Sequence, residues 1–336
     1  IESSFDLEEK HQVGLIALHR DGRIGSASLR DGFKVGITTV DGVRYAVPFY
    51  NYALGYLYNT ADLAAADNQV PTNLDELVAT SKALTTPERA GIAMQPQRGY
   101  KIFEEWGNWL FAAGGSIYDS EGNVTLDTPE AKRALEAYID TYTTAAPANS
   151  LNWSMDEAQR SVSANQSASM INYNWQLPAL NEPGSGPAAG NIKLAPIPGG
   201  KQVLGSWSWA IPTNSAAPDA AWAFVSWLTA KPNDVVRTEK GGAAIRQSTL
   251  QNPAVLEGRY GADYYRTVEE LLANSAPLSQ GPSGEEMIQA VGTELNEASD
   301  YLADHFSEKV FRETGDHFGY IRAGAIRLSI ILPKLL

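Results

Sequence analysis

The stretch from Gly205 to Ala230, GSWSWAIPTNSAAPDAAWAFVSWLTA, places the tightest constraint on how this chain folds. Trp207 and Trp209 alternate with serines at strand period, so both indoles fall on one face, and Pro212, which cannot donate to a ladder, closes the strand. Ser215 then stands as an N-cap. Ala221, Phe224, Val225 and Leu228 recur at i, i+3, i+4 and i+7, which predicts a helix that buries this face; Trp222 and Trp227 on the same helix are assigned to packing. Strand ends are where open α/β sheets bind ligands. On the pattern alone, the Trp207/Trp209 pair fits core packing as well as it fits a ligand surface.

Length and charge narrow the classes of function. At 336 residues the chain is long enough for two cores. A formal charge of −13 argues against nucleic acid and anionic membranes, both of which call for concentrated positive charge. With no cysteine, disulfides, thiolate metal sites and cysteine nucleophiles are excluded. The four histidines, His11, His19, His305 and His317, lack any metal-binding spacing, so neither metal nor cofactor is expected. The apolar runs fall short of a membrane span.

Taken in order, residues 1 to 35 show no sustained period. Asp41 and Gly42 open a turn, Tyr45 to Val47 form a short strand, and Pro48 interrupts it before FYNYALGYLYN. Tyr50, Tyr52, Tyr56 and Tyr58 lie at even steps and give one strand face rich in phenols, suited to sheet packing or to a ligand. Thr72 and Asp75 suggest a capping box for a helix that buries Leu74, Leu77, Val78 and Leu84. Phe103, Trp106, Leu110 and Phe111 share a helical face ending at Gly114 and Gly115, with Glu104, Glu105, Trp106 and Trp109 placed to reach a cleft. Asp119 to Asp127 reads as a surface hairpin rather than a calcium loop. Thr128 and Pro129 are N-cap and N1 of a helix burying Leu135, Tyr138, Ile139 and Tyr142. Beyond Pro147, a helix starts at Ser154, and SASMINYNW is a strand with Trp175 at its exit. Ile192 to Ile197 form another strand, GGAAIRQS places Arg246 after a small-residue turn, and helices follow at about 259 to 273 and 284 to 303. The basic, apolar stretch from Gly319 to Leu336 breaks the acidic pattern and fits a packed amphipathic helix, a membrane-proximal tail or a truncated span.

The blocks DGVRYAVPFYNYALGYLYNTADL, VPTNLDELVATSKAL, WLFAAGGSIYDSEGNVTLDTPEAKRALEAYIDTY, SASMINYNW, LAPIPGG and GSWSWAIPTNSAAPDAAWAFVSWLTAKP, in that order, resemble the extracellular solute-binding proteins of carbohydrate ABC importers, the group of maltose-binding protein. The resemblance runs from about Asp41 to about Leu302. It implies an α/β, two-lobe periplasmic-binding-protein fold of type II with crossing hinge strands. Residues 1–53 and 208–262 would form the N-terminal lobe, 54–207 and 263–318 the C-terminal lobe, and 319–336 an atypical tail. Residues 1–40 do not supply the early elements of that lobe, which is therefore expected to be incomplete. Residue by residue, the resemblance places Tyr50, Asn51 and Tyr52 on the first crossing strand, Trp175 as a sugar-stacking ring, Gly205, Trp207 and Trp209 on the second crossing, and Arg246 near sugar hydroxyls; Trp106 and Trp153 match less closely. It implies a sugar ligand, of di- or oligosaccharide size, and ABC permease subunits as partners. It also implies a monomer outside the cytoplasm, periplasmic or extracellular, with a lipid anchor on an N-terminus absent from this chain. The physics agrees, since indole and phenol faces cover the C–H face of a pyranose while Asn, Glu and Arg orient its hydroxyls.

Two other readings compete. A glycoside hydrolase would also line a cleft with tryptophans but needs two carboxylates about 5 to 10 Å apart across the bond. Glu104, Glu105, Asp119 and Asp156 are available, yet none sits in a motif that pairs them. An adhesion module would need an exposed aromatic patch rather than a concave one.

Overall fold

The computed structural model describes residues 14–18, 24–28, 46–278 and 284–305, with side chains placed from 46 to 278 and from 284 to 299. The turn at Asp41 and Gly42 and the stretch from Gly319 to Leu336 lie outside the described residues. Two short strands, β1 (Gly14–Leu18) and β2 (Ile24–Ser28), pair antiparallel with Leu18 opposite Ile24.

The tyrosine run is the spine of the main sheet. It forms β3 (Val47–Asn59), thirteen residues long. The expected break at Pro48 does not occur: the proline is the second residue of the strand, where a missing N–H is tolerated. The even spacing does put the phenols on one face, with Tyr50 and Tyr52 in edge contact at 5.7 Å and Tyr56 and Tyr58 stacked at 5.6 Å.

After β3 come α1 (Thr60–Ala65), α2 (Leu74–Ala83), α3 (Tyr100–Ala112), α4 (Pro129–Ala145) and α5 (Met155–Ser163). Then follow β4 (Ser169–Tyr173), α6 (Leu177–Leu180), β5 (Ile192–Ala195) and β6 (Gln202–Trp209). Five helices stand after β6: α7 (Pro218–Leu228), α8 (Lys231–Glu239), α9 (Gln247–Leu250), α10 (Pro253–Leu256) and α11 (Gly261–Ala273). The short strand β7 (Ser275–Pro277) and the long helix α12 (Gly284–His305) complete the described chain. The sheet order is β4-β3-β6-β7, and β5 also pairs with β3. Both β4 and β5 run antiparallel to β3, which sets Tyr56 opposite Ile171 and Ala195.

The chain divides into two compact units, residues 1–52 with 204–273 and residues 53–203 with 274–336. Each boundary at 52/53 and 203/204 falls inside a strand, β3 or β6, so unbroken strands carry the chain from one unit to the other.

The second unit is built from helices whose ends follow simple capping chemistry. Thr128 caps α4 by accepting from Ala131 N–H, with Pro129 at the first helical position. Ser154 and Glu157 form a capping box on α5. For α2 the cap sits one residue later than the spacing suggested: Asn73 accepts from Glu76 N–H, while Thr72 donates its backbone N–H and its hydroxyl to the Glu76 carboxylate. The Asp119–Asp127 segment is a hairpin turn in which Asp119 accepts from Glu121 and Asn123. Ile102, Phe103, Trp106, Trp109 and Leu110 of α3 are buried along with Tyr138 of α4, whose ring meets Trp109 edge-on at 5.5 Å.

In the first unit, α7 departs from expectation. Its N-cap is Ala217, with Ser215 two residues before it accepting from Ala217 N–H. Of the face assigned to the core, only Val225 is buried; Phe224 is 51% exposed and Trp227 62%. Instead, Phe49, Trp209, Phe224 and Trp227 form a chain of ring contacts at 5.1, 6.0 and 6.4 Å along the surface of this unit. Periodicity identifies residues that share a helical face, but burial requires a neighbour, which periodicity does not supply.

Glu105, on α3, is the most telling buried charge in the second unit. It accepts from Gln95 N–H and from the Tyr138 hydroxyl, both at 2.7 Å, and has no charged partner within ion-pair distance among the described residues. Burial pushes its carboxyl up to about 8, the bonds from Gln95 and Tyr138 and the charge of Lys101 opposing. The native state therefore keeps a proton that the unfolded chain releases near 4.5. This contribution to stability is fully present below that value and is lost as the pH rises toward 8. Glu105→Gln is expected to flatten the loss: thermal melts should show the variant gaining on the wild type by on the order of a few kcal/mol between about pH 5 and about pH 9. Parallel pH profiles for the two proteins would contradict this.

Candidate functional site

On the first unit, the candidate residues gather where β3 and β6 lie side by side. Gly205 is there because nothing larger fits: a Cβ at this position would lie 1.9 Å from Cε2 of Tyr52. The Tyr52 ring thus rests on bare backbone, and its hydroxyl accepts the Trp207 indole N–H at 3.1 Å. Alongside, Ser206 donates to Oδ1 of Asn51 at 3.1 Å. Trp207 has its polar edge tied down while 63% of the residue stays exposed, and Trp209, 37% exposed, leans on Phe49 and Phe224.

Arg246 belongs to a second cluster of this unit, centred on Asp234. That carboxylate is fully buried and accepts from Arg237 Nη2 at 2.6 Å, Thr249 Oγ1 at 2.7 Å and Ile245 N–H at 3.2 Å, with Arg246 Nη1 at 3.7 Å. Burial lowers the Arg246 guanidinium from its ordinary value, with Asp234 opposing. Arg237 also lies over Phe49 and Tyr50, at 5.1 and 6.0 Å from the ring centroids. Burial raises the Tyr50 phenol, opposed by Arg237 and by a backbone bond at Ala243. One aspartate thus ties α8, the turn after Gly241 and α9 to the strand that carries Tyr50.

On the second unit, Trp175 sits in a 3-10 turn directly after β4, half-buried, with its ring stacked on Tyr173 at 5.6 Å and 9°. Asn174 fixes that turn by accepting the backbone N–H of Ala53 in β3. The other two tryptophans assigned to the ligand lie elsewhere. Trp106 is 2% exposed in the interior beside Phe103. Trp153 is partly buried and packs on the cluster of Leu57, Met170 and Val162. Glu104 and Glu105, which the sequence offered to a cleft, are also interior.

Three of the four carboxylates available for acid–base chemistry, those of Glu104, Glu105 and Asp119, are occupied. Glu104 holds Lys101 and Tyr173, Glu105 holds Gln95 and Tyr138, and Asp119 closes its own turn. No group of acids and histidines among the described residues is arranged to hold a metal ion. Sequence reasoning missed two contributors: Asp234 as the anchor of Arg246, and Lys101, which joins Glu104 on the Tyr173 hydroxyl. The one signal for Lys101 was its i, i+3 spacing from Glu104 on a helix, which is also the mark of an ordinary surface pair.

The sequence profile of the bacterial extracellular solute-binding protein family matches residues 23–235, well over half of the chain. The chain belongs to this family of solute-binding proteins. A probable ABC transporter-binding protein of Deinococcus radiodurans is 32% identical over 205 residues, covering 57% of this chain and 48% of that protein. The mannitol-binding protein of Pseudomonas aeruginosa is 24% identical over 292 residues, 80% of this chain and 65% of that one. A solute-binding protein of Agrobacterium radiobacter K84 in complex with ribitol superposes with a TM-score of 0.74 at 22% identity, over 90% of this chain and 74% of the other. That likeness establishes the two-lobe periplasmic-binding-protein fold. The chain spans about half the length of the first curated relatives it matches. No helix among the described residues is long and apolar enough to cross a membrane.

Two substitutions test this arrangement. Gly205→Ala should cost roughly 1–3 kcal/mol in denaturant unfolding and displace the Tyr52 ring, changing tryptophan emission through Trp207. Wild-type stability and emission would mean that the close approach does not exist. Asp234→Ala leaves two guanidinium groups without their carboxylate and is expected to destabilise the first unit by about 3 kcal/mol, less than a fully buried pair because both arginines keep some exposure.

Proposed function

We propose that this chain binds a sugar or its reduced polyol and delivers it to the permease of an ABC importer, without chemistry. The observation that carries the reading is the pair of prepared indoles, one on each unit. Trp207 is exposed but held at its N–H by a buried phenol, and Trp175 is half-buried against a second phenol. A flat apolar ring with its polar edge already engaged suits the C–H face of a sugar, while nearby amides and hydroxyls suit its oxygens. The relatives support the same class, since one is named for mannitol and one was solved with ribitol.

In this reading the two units are the lobes of the binding protein, and they close on the ligand by a hinge in the crossing strands, with the ligand stabilising the closed state. Tyr50, Asn51, Tyr52, Gly205, Trp207, Trp209 and Arg246 serve from one lobe. Trp175 serves from the other, while Trp106 and Trp153 are taken up by packing within that unit. A di- or oligosaccharide fits the number of aromatic faces, and a single polyol fits the relatives. The protein acts as a monomer in the periplasm or outside the cell.

Calorimetry against a panel of polyols, disaccharides and oligosaccharides should give binding heat without product, and Trp207→Ala and Trp175→Ala should each cost on the order of 2 kcal/mol of affinity. Steady release of shorter sugars would sink the reading. So would affinities unchanged in both variants.

A further inference from the structure

The surface behind Trp175 is charged, buried and fully engaged. Tyr173, the last residue of β4, lies flat against the indole. Its hydroxyl donates to the Glu104 carboxylate, 2.8 Å from Oε2 and 2.9 Å from Oε1. Lys101 Nζ donates to Oε2 of the same carboxylate at 2.6 Å, reaches the Tyr173 hydroxyl, and stands 4.5 Å from the centre of the Tyr173 ring. Lys101 and Glu104 are one turn apart on α3, and the glutamate side chain is only 2% exposed. A buried lysine–glutamate pair adds little to stability compared with an apolar pair of the same size, so its physical consequence is the geometry it enforces. Here it enforces the position of one phenol.

We infer that Lys101 and Glu104 are positioning residues for Trp175: the pair on α3 locks the Tyr173 ring, and the locked ring sets the plane of the indole that rests on it. Charge-assisted hydrogen bonds at the phenol's far end remove its freedom to swing about its side-chain torsions. A ring stacked at 9° on a fixed ring inherits that restraint. Among the described residues Tyr173 is the one aromatic ring in contact with Trp175, and the turn that carries Trp175 is pinned on its other side by Asn174. The indole is thus oriented before any ligand arrives, and a ligand that stacks on it spends no binding energy on ordering it. This inference rests on reading Trp175 as a sugar platform; the contact itself does not.

The test separates the two. Protein labelled with fluorotryptophan gives one fluorine NMR resonance per indole, and Trp175→Phe identifies the Trp175 signal by its loss. Lys101→Met and Glu104→Gln are each expected to shift or broaden that signal while leaving the Trp207 and Trp222 signals in place, and Lys101→Arg is expected to restore it. Titration with mannitol, ribitol and maltose is expected to show roughly three- to tenfold weaker binding of whichever probe binds the wild type. A Trp175 resonance unmoved in both variants overturns the inference, even if their melting temperatures fall, because a purely structural pair would lower stability without touching the indole. If the resonance moves while Trp175→Phe itself leaves affinity unchanged, the positioning contact stands and the failure lies in the platform reading.

Discussion

The contact between the Tyr52 ring and the bare backbone of Gly205 is the constraint on which the first unit's surface depends. It brings β3 and β6 together at the positions where both strands pass from one unit to the other. Without a side chain at 205 the phenol lies flat on the neighbouring strand, and its hydroxyl then falls where the Trp207 N–H can reach it. The exposed indole is ordered as a result of a missing Cβ. Alternation along β6 does the rest, turning Ser206 toward Asn51 and presenting Trp207.

Each unit uses a buried charge cluster to hold an aromatic surface, and the two clusters are chemically distinct. In the first unit, Asp234 gathers Arg237, Arg246, Thr249 and the Ile245 backbone, and Arg237 carries that order onto Phe49 and Tyr50. In the second, Glu104 and Lys101 act on Tyr173 and through it on Trp175. Ionic groups inside a protein gain little net stability but are directional, whereas apolar packing is stabilising and tolerant of angle. A surface that must present flat rings at set angles draws on the first kind of interaction behind the second. Glu105 stands apart, because among the described residues no cation pairs with it, and burial raises its carboxyl to about 8.

Much of the fold was legible in the sequence where local rules decide. The cap at Thr128, the helix start at Ser154, the stop after α3 at Gly114, the phenol face of β3 and the strand before Trp175 all follow from spacing and side-chain chemistry. The reading failed where a neighbour decides. Phe224 has the periodicity of a buried face and Trp227 was assigned to packing, yet both stand exposed, while Trp106, read as a ligand contact, is interior. Asp234 and Arg246 are twelve residues apart in sequence and carry no recognisable motif, yet a buried carboxylate brings them together.

The amino-acid sequence by itself determined most of the longer helices, the strands from β3 to β6, the aromatic character of β3 and β6, and the family, because these depend on periodicity, capping and the succession of motifs along one chain. Only the tertiary structure decided which aromatic rings are held and which are buried. Tyr52 lies over Gly205, Tyr173 lies against Trp175, and Lys101 and Glu104 hold the Tyr173 hydroxyl, through contacts between residues as far as 155 positions apart. Such contacts depend on where strands and helices meet in space, and spacing along the chain does not encode that meeting.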